Sequence, residues 1–130
     1  ELGRSWYAQI VIVGGESDVY ILGHYTNINT GVFMGRRLAS AAFDTWYNLR
    51  LDLRTRKDDP ALGADEIRLD FFVDGGFKAS LFPEDSPILL DPERTGLGPH
   101  RSLTVYAAKG TSNAVGLFDN VRAVYENRLS

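Results

Sequence analysis

Two stretches of strict period-two alternation constrain this chain more than anything else in it. Over residues 47–55, Tyr47, Leu49, Leu51 and Leu53 fall on one side and Asn48, Arg50, Asp52 and Arg54 on the other. Successive side chains of a strand point to opposite faces, so this segment reads as a strand with one face buried. Residues 66–73 repeat the pattern, with Ile67, Leu69, Phe71 and Val73 inward and Glu66, Arg68, Asp70 and Phe72 outward. A helical period would scatter both sets around a cylinder. The two strands read as antiparallel partners whose charged faces pair across strands, joined by a long, mobile hairpin loop over the polar residues 57–64.

The rest of the chain extends the same architecture. Asp74-Gly75-Gly76 supplies residues that accept positive φ, so residues 77–81 return antiparallel to the preceding strand. Residues 6–13 and 18–25 flank Gly14-Gly15-Glu16-Ser17 as another hairpin; its first strand is apolar on both faces and is expected at the centre of its sheet. A turn over residues 26–31 precedes a short strand at 32–36. Residues 101–108 and 116–126 form a closing strand pair around Lys109-Gly110-Thr111-Ser112-Asn113. Residues 83–99 carry four of the five prolines and read as an irregular crossover with one helical turn near Asp91-Pro92-Glu93-Arg94. About eight strands punctuated by turns predict an all-β, two-sheet antiparallel sandwich that occupies residues 1–130 as a single domain.

Composition narrows what such a domain can do. With 14 Lys+Arg against 17 Asp+Glu, a net charge of -3 and no basic cluster, the electrostatic footprint of a nucleic-acid binder is missing. No apolar run approaches the roughly 20 residues needed to span a bilayer, and residues 1–5 lack the basic and apolar regions of a signal peptide. The expectation is a soluble piece of a longer protein that does not itself enter a membrane. Cysteine is absent and histidine is limited to His24 and His100, so disulfides, thiolate nucleophiles and Cys-zinc sites are excluded and a His-based metal site has little to build on.

In the order of its elements the chain resembles the concanavalin A-like jelly-roll superfamily, especially laminin-G-like domains. Three pieces carry the resemblance. Phe43-Asp44-Thr45-Trp46-Tyr47-Asn48-Leu49-Arg50-Leu51 is similar to the family's W-[YH]-x-L-x-[LV] strand, and Ile67-Arg68-Leu69-Asp70-Phe71-Phe72-Val73-Asp74-Gly75 to its I-x-x-Y-V-D-G hairpin. Gly116-Leu117-Phe118-Asp119-Asn120-Val121-Arg122-Ala123-Val124-Tyr125 is similar to the [FI]-D-[ND]-V-x-V-Y strand that commonly closes such domains. The resemblance implies a jelly-roll sandwich in which one or two N-terminal strands are missing or supplied elsewhere. It also implies a sugar-active or binding domain of an exported or membrane-anchored bacterial protein, outside the cell or at its surface.

The chemistry that the superfamily supports is only partly matched. Its retaining glycosidases carry Glu-x-Asp-x-Glu on one strand face, at the roughly 5–5.5 Å carboxylate separation that retention needs. The nearest approach here is Glu66-x-Arg68-x-Asp70, where a guanidinium between the carboxylates lowers their pKa and disfavours a protonated acid. A salt-bridge ladder is the plainer reading. No Gly-x-Ser-x-Gly elbow or phosphate-binding glycine loop occurs. Laminin-G-like relatives often hold calcium through rim carboxylates, for which Glu16, Asp18, Asp58, Asp59 and Asp65 are the available donors. None forms an Asp-x-Asp-x-Asp-Gly loop, and solvated loop acids are the commoner case, so no metal or cofactor is expected. For Asp119, in the closing-strand motif, the resemblance implies a structural role, accepting backbone N–H bonds near the strand end, in preference to metal ligation.

Two tryptophans, six tyrosines and seven phenylalanines matter because sugar-binding β modules stack pyranose faces on aromatic rings and read hydroxyls with Asn, Asp and Arg. Trp46, Tyr47, Phe71 and Phe118 are expected in packing positions, whereas Phe72 falls on the charged face. Tyr25, Asn27 and Asn29 with Arg36 and Arg37 form a second polar-aromatic rim, turn chemistry being the alternative for the asparagines. The leading expectation is a non-catalytic module that binds a glycan or protein partner through Asn48, Arg50, Arg68, Asp70 and Phe72. Two rivals stay open: a glycoside-active domain whose catalytic carboxylates lie elsewhere, and a structural spacer or assembly domain.

Overall fold

The computed structural model describes residues 6–14, 17–28, 30–56, 58–63, 66–83, 118, 119 and 121. The chain separates into two compact units, Glu1–His100 and Arg101–Ser130. Six strands are built from the first unit: β1 (Trp6–Gly14), β2 (Val19–Asn27), β3 (Phe33–Ser40), β4 (Leu49–Arg54), β5 (Arg68–Val73) and β6 (Gly76–Leu81). They form two three-stranded antiparallel sheets, β1-β2-β3 and β4-β5-β6, each a meander in chain order. No helix occurs among the described residues, so none there is long and apolar enough to cross a membrane.

Alternation explains the layering. In β2, Ile21, Gly23 and Tyr25 point one way and are buried, while Tyr20, Leu22, His24 and Thr26 point the other. Tyr25 forms one core with Ile67, Leu69, Phe71 and Leu81 from the second sheet's segment of the chain. Ala8, Ile10, Met34 and Leu38 of the first sheet pack against that cluster, as do Leu51 and Leu53 of β4. The two sheets therefore bury their inner faces against each other, an arrangement that fits a β-sandwich. Gly23 marks a close approach of the two sheets: a Cβ there would lie 2.6 Å from Cδ1 of Phe71, so only hydrogen lets that ring seat.

The tightest connection is the β5–β6 hairpin, where Val73 pairs with Gly76 around Asp74 (φ 51°) and Gly75 (φ 82°). Positive φ at both central residues is the type I′ pattern, whose twist suits two-residue hairpins. The Asp-Gly dipeptide fulfils its sequence expectation.

Several expectations are corrected. The middle strand of the first sheet is β2, and β1, expected to be central because both its faces are apolar, has β2 as its one partner among the described residues. The short strand read at 32–36 runs on to Ser40, past Arg36 and Arg37, whose charges ended the apolar pattern. The loop expected to be mobile is tied to itself. The Thr55 N–H donates to Asp58 Oδ2 (2.9 Å), the Ala61 N–H to Asp59 Oδ1 (3.0 Å) and the Gly63 N–H to Glu66 Oε1 (2.6 Å), while Leu62 tucks inward with 6% exposure. Trp46 and Phe118, expected to pack, are 66% and 54% exposed, and Tyr25, expected on a rim, is fully buried. Phe118, Asp119 and Val121 lie outside any strand. The rest of the expected closing pair and the crossover beyond Pro83 lie outside the described residues, as do Asn29, Glu16 and Asp65.

Candidate ligand face

The outer face of β4-β5-β6 carries the residues singled out from the sequence. Its register sets Arg50 opposite Phe72, Asp52 opposite Asp70 and Arg54 opposite Arg68. Charges expected to pair across the strands thus meet their own kind, because both strands run Arg-x-Asp in the phase that their inward apolar sets impose. The ion pairs run along the strands instead. Asp52 takes Arg50 in a fork (2.9 and 2.7 Å) and Arg54 from the other side (2.8 Å). Asp70 takes Arg68 Nε (2.9 Å) and the Ser80 hydroxyl (2.7 Å), and Arg68 reaches on to Asp59. An arginine stem is long enough to bridge residues two apart on one face, so antiparallel register does not decide its partner.

Electrostatics follow from these pairs. The Arg50 guanidinium holds the Asp52 carboxyl below the ordinary carboxylate value, and the Ala61 N–H together with Arg68 does the same for Asp59. Asp70 and Asp59 raise the pKa of Arg68. Asp52 and Asp59 therefore stay ionised and engaged, which is the opposite of a poised general acid.

The five sequence candidates divide into a closed end and an open end. Arg68 and Asp70 are closed, tied to Asp59 and Ser80, with Asp70 7% exposed. Arg50, Phe72 and Asn48 are at the open end, beside the Asp74-Gly75 turn. Arg50 lays its guanidinium 4.6 Å from the Phe72 ring centroid, a cation–π contact. Phe72 also meets Phe77 edge to face at 5.8 Å, and Phe77 is 58% exposed. Asn48 is anchored through its backbone: its N–H donates to Asp74 Oδ1 (2.9 Å) and its carbonyl accepts from the Asp74 N–H (2.7 Å). Sequence reasoning missed Phe77. The Asp-Gly turn held the signal, since a two-residue hairpin counts Phe77 onto the face of Phe72.

Two other places were also missed. On the outer face of the first sheet, His24 lies between Tyr7 (5.9 Å) and Phe33 (5.3 Å), with Nε2 donating to Gln9 Oε1 at 2.6 Å. Its Nδ1 is buried without a hydrogen-bond partner among the described residues, and burial lowers the imidazole pKa. The period-two reading of residues 20–26 could have found this cluster. An open hollow of about 420 Å3 lies between Asp18, Val19, Ser40, Ala42 and Phe43. Beside it Arg37 pairs with Asp18 (2.8 Å) and covers the Tyr20 ring (4.7 Å), so this arginine of the expected rim is already engaged. Asn27, another member of that rim, is 1% exposed and accepts the Thr30 N–H. Among the described residues no three His, Asp or Glu side chains gather where they could hold a metal ion. No protein-family model matches this chain, and comparison with curated proteins and with solved structures likewise gives no match.

Proposed function

We propose that this chain is a non-catalytic binding module, a jelly-roll sandwich of laminin-G-like kind that recognises a glycan or protein partner as part of a larger exported or membrane-anchored protein. One observation carries the reading. At the open end of the β4-β5-β6 outer face, an exposed phenylalanine and an arginine stacked on a second phenylalanine stand on hydrogen-bonded strands. The neighbouring Asp52 and Asp70 are engaged by Arg50, Arg54 and Arg68. A rigid aromatic surface with one oriented donor suits recognition, because little side-chain freedom is lost on binding. Carboxylates that are each engaged by an arginine support binding over hydrolysis. The test is retention on a panel of immobilised glycans and extracellular peptides by the wild type and Phe77→Ala. Retention that disappears in the variant while the thermal melt is unchanged supports the reading; no retention of the wild type overturns it.

A further inference from the structure

The open end of this face also restricts the class of ligand, and we infer that it takes a neutral saccharide rather than an acidic one. This inference rests on the binding reading given above. A guanidinium has five N–H donors. Asp52 uses two on Arg50, at Nε and Nη2, and Arg50 has no other hydrogen-bond partner among the described residues. Three N–H groups therefore remain, on a side chain 58% exposed. Their direction is fixed by the Asp52 fork on one side and by the Phe72 ring beneath. Phe77 stands next to that ring with most of its own surface open. An oriented row of donors beside an apolar ring face matches a pyranose, whose hydroxyl oxygens accept while its C–H face lies on the ring.

Charge decides between sugar classes. Among the described residues of this sheet and its adjoining turn and loop, Arg50, Arg54, Arg56, Arg68 and Lys78 stand against Asp52, Asp58, Asp59, Glu66, Asp70 and Asp74, so positive charge is not in excess. Arg50, Arg54 and Arg68 are already paired, with Asp52, Asp58, Asp59 and Asp70. A uronate or sialate would approach a face on which carboxylates outnumber cations, whereas hydroxyls meet no such penalty.

The test is titration of the protein with neutral and with uronic- or sialic-acid-bearing oligosaccharides, at about 0.05 M and about 0.5 M salt, since screening separates charged from neutral recognition. The inference expects neutral oligosaccharides to bind, with affinity changing less than about twofold between the two salts. Phe77→Ala should weaken binding about tenfold, the scale of one lost aromatic contact. Arg50→Lys keeps the charge but loses the planar fork, and should weaken binding by a similar factor. Both side chains are exposed, so the variants are expected to fold, and their melting curves check this. Preference for acidic oligosaccharides, with salt-sensitive binding that Arg50→Lys preserves, would overturn the neutral class and leave the binding reading standing. Failure of both sugar classes would overturn the inference, and if extracellular peptides also fail the binding reading falls with it.

Discussion

Asp52 sits directly opposite Asp70 in the β4–β5 ladder, two carboxylates facing each other on the outer side of the second sheet. Like charges at directly opposite positions oppose pairing. The register holds because each carboxylate has its own cations or donors: Arg50 and Arg54 for Asp52, Arg68 and Ser80 for Asp70. The register itself is imposed from the other face, where Leu69 and Phe71 of β5 are buried and Leu51 and Leu53 of β4 pack against the same core. Slipping by one residue would turn that whole apolar set to solvent.

Removing one cation should expose this arrangement. Arg68→Leu leaves Asp70, 7% exposed, with only the Ser80 hydroxyl. The expected loss is about 1–3 kcal/mol, the cost of a buried group deprived of its partner. Adding Asp70→Asn should restore part of it, because a neutral amide tolerates the site and removes the charge facing Asp52. Urea-denaturation midpoints of the single and double variants measure both effects. A loss below about 0.5 kcal/mol for Arg68→Leu, the size of an ordinary surface effect, would show that Asp70 does not depend on it.

Acid should act in two separate windows. Burial depresses the His24 pKa from its ordinary 6.5, so the folded state binds fewer protons than the unfolded chain once the pH falls below that value. His24 therefore favours folding less and less from 6.5 down to its folded pKa, and the slope ends there. The depressed carboxylates of Asp18, beside Arg37, and of Asp52 and Asp59 act lower down. Their contribution is present above the ordinary value of 3.8 and is lost as the pH falls through their folded values. Facing His24 are Tyr7 and Gln9 of β1 and Phe33 and Gly35 of β3, none of them charged at these pH values. His24→Phe keeps an aromatic ring between Tyr7 and Phe33. Comparing denaturation free energies of wild type and variant from about pH 7 to about pH 5 cancels His100, which both share. Equal slopes would remove His24 from the account.

The two alternating segments were legible because Ile67, Leu69, Phe71 and Val73 must all be buried together, and the Asp-Gly dipeptide dictated a hairpin that the backbone angles bear out. Phe72 was legible as the aromatic on the wrong side of that pattern. Partner choice among the charges was not legible. An Arg-x-Asp repeat pairs equally well along or across strands, and only the register of the ladder separates the two. The place of β1 was hidden as well, since a strand apolar on both faces can lie mid-sheet or at an edge. Trp46 and Tyr25 were assigned oppositely to their places. Trp46 belongs to no alternating run, and the inward set of β2 is interrupted by Gly23, which masks Tyr25 as its continuation.

Gly23 should prove the least replaceable residue in β2. The Cβ of an alanine there would stand 2.6–2.8 Å from three ring carbons of Phe71. Phe71 is fully buried in the core cluster, and overpacking of this kind costs about 1–3 kcal/mol. Gly23→Ala with Phe71→Leu should recover part of the loss. Additive losses in that double-variant cycle would show that the two positions do not touch.

Trp46 and Leu69 invert the usual expectation that the larger apolar side chain matters more. Leu69 is 1% exposed within the core cluster, so Leu69→Ala should cost about 2–5 kcal/mol. Trp46 is 66% exposed, and Trp46→Ser should cost less than about 0.5 kcal/mol. Chemical denaturation of the two variants decides it. A large loss at Trp46 would restore the packing role that the sequence suggested.

Asp52→Asn tests whether the ion pairs of the outer face serve the ligand as well as the fold. The carboxylate fixes Arg50 through two hydrogen bonds and cancels its charge. The amide can accept only one of them. Arg50 then loses its hold above Phe72, and the face gains one unit of positive charge beside Arg54, which also gives up its partner at Asp52. Affinity for a neutral oligosaccharide should fall about threefold to tenfold, the equivalent of about 0.7–1.4 kcal/mol, as the oriented donors become loose. Acidic oligosaccharides should gain affinity, and the gain should disappear at high salt, because it is purely electrostatic. Titrating both sugar classes into wild type and variant separates the two roles. If both affinities stay unchanged, Asp52 serves folding alone, and the orientation of Arg50 is set by Phe72 without it.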